Sequence, residues 1–381
     1  MEADGIDSFE VAVDAEEVTD LRRRLAGTRW PDQLSDAGWD YGTERGALQY
    51  LCEYWREEFD WDEFEDRLNR FDQFTTAIDA HRVHFYHIRS PEESARPLVL
   101  LHGWPGSVAE FLDVLGPLTD PVAHGGDPEE ALHVVAPSLP GYGFSGPTNE
   151  RGVDIPTVTR LVAGLLERLG YDHYVAQGGD WGALVAARLG ADYPERVDGL
   201  HTTMPFVMPS QFDDPMGMLD EDGMADYRET KAFREDGMGY YELQSTRPQT
   251  LAYGLTDSPA GLAGWLLEKF HAWSDCDGDV VEYFGADRLL DNVSLYWLTG
   301  TINSSMRLYY ETDDREAIPS SVDVPTGHAR FPAEISKTPR AWVEEVYDLV
   351  YCTDQPEGGH FPAMEVPDLF VDDVRAFVRG L

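Results

Sequence analysis

Tyr174-Val175-Ala176-Gln177-Gly178-Gly179-Asp180-Trp181-Gly182 joins an apolar strand pattern to a helix that continues through Ala183–Leu189. Glycines stand two positions before and two positions after Asp180. A strand-to-helix turn with this spacing is so tight that its flanking backbones leave no room for a Cβ. It lifts one side chain above the end of a sheet, where a nucleophile usually sits. The residue lifted here is aspartate rather than serine. An Asp that caps the following helix fits the same letters.

A carboxylate in that position favours particular chemistry. It attacks a saturated carbon and forms an ester, as in opening an epoxide or displacing a halide. The ester must then be hydrolysed at the Asp carbonyl. That step needs a base for the water and N–H donors for the oxyanion.

The surrounding pattern supports this reading. On the N-terminal side, Leu98–Leu101 is a strand-like run ending at His102-Gly103-Trp104-Pro105-Gly106. His133–Ala136 is another, ending at Pro137-Ser138-Leu139-Pro140-Gly141. Val158, Leu161, Val162, Leu165, Leu166 and Leu169 form a helical stripe between them and the Asp180 turn. Strand, turn and helix in repetition predict a mostly parallel sheet flanked by helices, an α/β class. A strand opens at Val83–Ile88, and the alternation returns with Val322–Arg330, Leu349–Cys352 and a last helix from Pro367 to Gly380. The expected organisation is a helical segment over 1–80, core over 81–204, a helical insertion acting as a lid over 205–314, and core again over 315–381.

The base candidate is His360 in Gly358-Gly359-His360-Phe361-Pro362, after the last strand and before the last helix. The oxyanion donors are the backbone N–H groups of Trp181, next after Asp180, and Trp104, after the early strand. Pro105 makes the Trp104–Pro105 bond a candidate for the cis form. The acid that would orient His360 lies among Asp323, Glu334, Glu344, Glu345, Asp348 and Asp354. Glu334 has the favourable place, in a loop at a strand's carboxyl end, but spacing alone does not choose among them.

Taken together, these segments resemble epoxide hydrolases of the microsomal type, in the α/β-hydrolase superfamily. The resemblance covers nearly the whole chain. It includes Arg29-Trp30-Pro31-Asp32, His102-Gly103-Trp104-Pro105-Gly106, Pro137–Ser145, Gln177–Gly182, Tyr296–Ile302 and Gly358–Phe361. It implies the α/β-hydrolase fold, hydrolysis of epoxides to vicinal diols, Asp180 as nucleophile, His360 as base and Glu334 as its acid. It also implies two lid tyrosines that donate to the epoxide oxygen, Tyr240 and Tyr309, with Tyr241 and Tyr310 as their neighbours. The N-terminal segment is expected to wrap the core and pack on the lid. The reaction needs no cofactor and no metal. The rival reading is a haloalkane or haloacid dehalogenase on the same fold, with Trp104 and Trp181 holding the halide.

Composition sets the outer limits. The 381 residues carry 71 acidic and 29 basic side chains, a formal net charge of −42. Nucleic acid and anionic membranes are excluded as partners, since both require a basic surface. Only Lys231, Lys269 and Lys337 among the basic residues are lysines. Such self-repulsion costs little where molar salt screens it, so the composition reads as that of a salt-rich cytoplasm. Cys52, Cys276 and Cys352 are too few and too far apart for a disulfide framework or zinc site. The first residues lack an apolar run, and no stretch approaches the roughly 20 apolar residues of a membrane span. A soluble cytoplasmic enzyme of detoxification is expected, acting on a small apolar epoxide and water. A homodimer is one option for its assembly.

Overall fold

The computed structural model describes residues 5–381, so the start of the 1–80 segment lies outside the described residues. Among the described residues one 9-stranded sheet runs through the molecule. Its strands are β1 (Asp7–Phe9), β2 (Gln73–Ile78), β3 (His81–Ile88), β4 (Arg96–Leu101), β5 (Leu132–Pro137), β6 (Tyr174–Gly178), β7 (Val197–Thr202), β8 (Val322–Arg330) and β9 (Tyr347–Asp354). The spatial order is β1-β2-β3-β5-β4-β6-β7-β8-β9. The pairs β1–β2, β2–β3 and β3–β5 are antiparallel. All pairs from β5 to β9 are parallel. Parallel strands are covered on both faces, which is why they read as unbroken apolar runs. Leu98–Leu101, Val134, Val135, Val175 and Ala176 are fully buried.

The N-terminal segment holds helices α1 (Ala15–Ala26), α2 (Arg45–Glu57) and α3 (Trp61–Leu68). Helices α4 (Leu112–Thr119), α5 (Ile155–Arg168) and α6 (Asp180–Asp192) connect the first core strands. Between β7 and β8 the chain leaves the sheet for eight helices in succession. These are α7 (Glu221–Asp236), α8 (Gly239–Thr246), α9 (Pro248–Asp257), α10 (Pro259–Trp273), α11 (Val280–Phe284), α12 (Ala286–Thr299), α13 (Ile302–Glu311) and α14 (Asp314–Ala317). The core resumes and ends with α15 (Arg340–Val346), α16 (Pro362–Glu365) and α17 (Pro367–Gly380). Many caps draw on the acidic composition. Asp14, Asp154, Asp220, Asp279 and Asp313 each accept a backbone N–H at a helix start.

Three strands differ from the sequence expectation. The N-terminal segment is not wholly helical, because β1 and β2 extend the sheet by antiparallel pairing onto β3. In β2, Phe74-Thr75-Thr76 carries too little apolar alternation to announce a strand. The sequence of β7 is interrupted by Asp198, Gly199 and His201, yet His201 is fully buried. Its Nε2 lies 2.8 Å from Asp373 Oδ2 on α17, so a polar pair takes the place of an apolar contact.

The N-terminal helices are stitched to the helical insertion. Arg67 on α3 donates two hydrogen bonds to Asp291 on α12, at 2.8 and 2.7 Å. Tyr54 on α2 donates to Asp287 at 3.0 Å, and the Thr43 hydroxyl donates to the Gly264 carbonyl at 2.6 Å.

Candidate active site

Asp180 is the first residue of α6 and holds φ at 50°, a conformation uncommon for anything but glycine. Gly179, with φ −121° and ψ 161°, takes the cap position, so Asp180 is not an N-cap residue. The glycines on either side permit the turn. A Cβ on Gly178 would stand 2.2 Å from the Gly182 carbonyl oxygen, and one on Gly182 would stand 1.9 Å from that of Leu101. The strand end and the helix start therefore touch backbone to backbone, and the Asp180 carboxylate stands over the end of β6.

The turn after β4 comes to meet it. The Trp104 N–H donates to Asp180 Oδ1 at 2.8 Å, and the Trp104–Pro105 bond is cis. This turn is fixed from three sides. The Leu139 N–H donates to His102 Nε2 at 3.1 Å, and burial pushes the His102 imidazole down to about 4. Asn292 Nδ2 and the Tyr296 hydroxyl, both from α12, donate to the carbonyls of Pro105 and Gly106 at 2.8 Å. His102 is thus a neutral structural acceptor. Trp181, the other expected backbone donor, follows Asp180 directly. Among the described residues its N–H makes no hydrogen bond to the carboxylate, and its ring packs edge-on against Tyr309 at 4.7 Å.

His360 faces Asp180 from the loop after β9. Its Nε2 lies 3.5 Å from Asp180 Oδ2, and its Nδ1 lies 2.8 Å from Glu334 Oε1. Two loops cooperate in this placement. The Ala333 N–H donates to the Gly358 carbonyl at 3.0 Å, which brings the loop after β8 beside the loop after β9. The His360 N–H donates to the carbonyl of Trp273, the last residue of α10, at 2.9 Å. Glu334 Oε1 also accepts from the Ile335 N–H at 2.7 Å. Burial opposes protonation of His360, but the Glu334 carboxylate and the bond to Asp180 outweigh it, and its pKa stands well above the usual imidazole value. The other acids considered from sequence lie elsewhere. Asp354 pairs with Arg330, Glu344 with Arg340, and Asp348 lies in β9 opposite Pro325.

A cavity of about 350 Å³ lies between the sheet and the helical insertion, with Asp180 and Trp181 in its wall. Tyr240 on α8 and Tyr309 on α13 line it, together with Leu184, Phe206 and Met238. Both tyrosines are buried, at 7% and 3% exposure. The Tyr240 ring stacks on Trp104 at 5.3 Å, and Tyr309 meets the same indole edge-on at 5.9 Å. Burial, reinforced by Asp180 in both cases, holds both phenols well above their usual pKa, so both remain O–H donors. Of their neighbours, Tyr310 is 56% exposed, and the Tyr241 hydroxyl, though on the cavity, donates to Asp314 at 3.3 Å.

Two residues here were not singled out from sequence. Lys269 is buried, with its ammonium 4.6 Å above the Tyr240 ring. Glu110, in the turn Val108–Phe111, lines a second and much smaller pocket with Asp180 and His360. The one sequence signal for Glu110 is a lone acid inside Val108-Ala109-Glu110-Phe111-Leu112.

Comparison with known proteins bears on the whole chain. Residues 6–111 match the family model for the epoxide hydrolase N terminus, and residues 96–272 match that for the alpha/beta hydrolase fold. Epoxide hydrolase 1 of Sus scrofa is 36% identical, the match covering 99% of this chain and 89% of that protein. A provisionally named epoxide hydrolase of Stigmatella aurantiaca is 44% identical over 99% of this chain and 86% of its own length. Among solved structures, the juvenile hormone epoxide hydrolase of the silkworm Bombyx mori superposes with a TM-score of 0.90 at 32% identity, covering 99% of this chain and 94% of that one. With full-length relatives at this level of identity and the same architecture, the chain belongs to the epoxide hydrolase family and has the α/β-hydrolase fold.

Proposed function

We propose that the protein converts a small apolar epoxide and water to a vicinal diol through an ester on Asp180. The observation that carries this is the arrangement around one carboxylate. Asp180 lines a cavity with two buried phenols, while His360, backed by Glu334, stands 3.5 Å from its Oδ2.

In the first step an Asp180 oxygen attacks a ring carbon and the C–O bond of the epoxide breaks. Tyr240 or Tyr309 gives its proton to the departing ring oxygen, which becomes the first hydroxyl of the product. The attack also converts Asp180 from an anion to a neutral ester. That removes one of the two carboxylates raising the His360 pKa, so the imidazolium gives its proton to solvent, to be regained from solvent once Asp180 is again a carboxylate, and the neutral ring becomes a base. Water then adds to the Asp180 carbonyl carbon, passing one proton to His360. The Trp104 N–H, with that of Trp181, stabilises the oxyanion. Such donors are typically worth about 10²–10³ in rate. Collapse breaks the bond from that carbon to the product oxygen, which takes the proton back from His360. The second water proton restores the tyrosine, and one carboxylate oxygen of Asp180 now comes from water.

The paired phenols favour this reading over halide displacement, since a halide leaves as a weak base and has no need of a proton donor. The acidic, arginine-rich composition supports a salt-rich cytoplasm as the working environment, with removal of reactive epoxides as the role. No helix among the described residues is long and apolar enough to cross a membrane.

The test is intact-protein mass spectrometry with styrene oxide. His360→Gln should accumulate a substrate-sized adduct on the Asp180 peptide, and Asp180→Ala should yield neither adduct nor diol. Wild-type turnover in labelled water should introduce oxygen-18 into Asp180. Diol formation by Asp180→Ala would overturn the scheme.

A further inference from the structure

Asp180 separates two cavities of very different size. The larger is about 350 Å³ and carries the two phenols but not His360. The smaller is about 20 Å³ and is lined by His360, Trp104, Asp180 and Glu110 but by neither phenol. A space of that size holds about one water. Once an ester forms, its alkyl part fills the larger cavity. The water that attacks Asp180 must therefore come from the side of His360, where the smaller pocket lies.

A water poised for attack needs more than a base. One O–H points to His360 Nε2 and a lone pair points to the Asp180 carbonyl carbon. The second O–H then requires an acceptor, because an ordered buried water makes about three hydrogen bonds. Glu110 is a polar side chain of this pocket that the chemistry so far has not used. Its carboxyl folds back over Gly106, where a Cβ would stand 1.2 Å from Oε1, so the turn keeps this position free for it. Burial, with Asp180 adding to it, pushes the Glu110 carboxyl up to about 8, against the opposing effect of His360 and of the Ser107 backbone. A neutral carboxyl does not repel the Asp180 anion, and its carbonyl oxygen still accepts a hydrogen bond.

We infer that Glu110 is the second hydrogen-bond partner of the hydrolytic water, holding it between His360 and the Asp180 ester. The inference rests on the aspartyl-ester reading of the reaction. Glu110 acts in the second step alone, and acceptance of one hydrogen bond is its whole task.

The experiment separates the two steps. Single-turnover mixing with styrene oxide, followed by rapid quench and intact-protein mass, gives the rates of ester formation and ester loss. Glu110→Ala and Glu110→Leu should form the ester at the wild-type rate and lose it about 100-fold more slowly, so that adduct accumulates during turnover. Glu110→Gln, which keeps a carbonyl acceptor, should lose the ester within a few-fold of wild type. Ester loss at the wild-type rate in Glu110→Ala would overturn the inference, and so would equal slowing of both steps, which marks a structural role. Absence of adduct in both wild type and His360→Gln would instead bring down the ester reading, and this inference with it.

Discussion

The residue scale is where the chemistry is decided. A non-glycine residue at φ 50° costs about 1–3 kcal/mol, and the Gly178, Gly182 and Leu101 backbones hold Asp180 there. In return the carboxylate meets a backbone donor on one oxygen and an imidazole on the other. The two phenols are a further case of position outweighing residue type. Tyr309 and Tyr310 are adjacent in sequence, yet one is buried over Trp104 and the other is in solvent. Tyr240→Phe and Tyr309→Phe should each slow ester formation by about 10–100-fold, and the double variant by more, with ester hydrolysis little changed. Tyr310→Phe should match wild type. Stopped-flow tryptophan fluorescence in single turnover reads the step directly, and an unimpaired double variant would remove the tyrosines from the mechanism.

At the scale of elements, the sheet edge that leads to His360 is tied together by one buried acid. Asp373 on α17 accepts at Oδ1 from Tyr351 at 3.0 Å, Thr353 at 2.6 Å and Gln355 at 2.8 Å, all in or just after β9. Its Oδ2 meets His201 on β7. Burial would raise the Asp373 pKa, but these partners, His201 first, hold it below its ordinary 3.8. A depressed carboxylate contributes stability above its unfolded pKa and loses it as pH falls through the folded value. Asp373→Asn should therefore cost about 1.5–3 kcal/mol at neutral pH, the usual range for hydrogen bonds to a charged group. The gap from wild type should close as the pH drops below 3.8. Urea midpoints taken from about pH 6 to about pH 2 would show the convergence. A constant gap would mean that the charge is not what matters.

At the scale of the whole molecule, the net charge of −42 is the dominant feature. Many of its ion pairs are exposed, and such pairs contribute roughly 0–1 kcal/mol each. They do not offset the repulsion of so many surplus carboxylates. Screening does, with a Debye length of about 10 Å at 0.1 M salt and about 3 Å at 1 M. The thermal midpoint should rise by several degrees between about 0.1 and 2 M KCl, most of the rise coming at the low end. Calorimetry across that series is the measurement, and a flat or falling midpoint would contradict the salt-rich reading of the composition.

The sequence by itself determined the parallel core, the Asp180 turn and the position of His360 in chain order. Each is a local signal: apolar runs covered on both faces, small residues where backbones touch, and glycines before an imidazole. It also named Glu334, Tyr240 and Tyr309, but only through resemblance. Tertiary structure decided what depends on distant partners. The loops after β8 and β9 bond to each other, and this puts Glu334 beside His360 while Asp354 turns to Arg330. β7 stayed hidden because its His201 is satisfied by an acid far along the chain. Glu110 stayed hidden because nothing in a short turn reveals that it borders a pocket shared with the residues of two other loops. Local geometry is encoded in neighbouring residues, whereas a buried polar group is legible only once its partner has been brought to it.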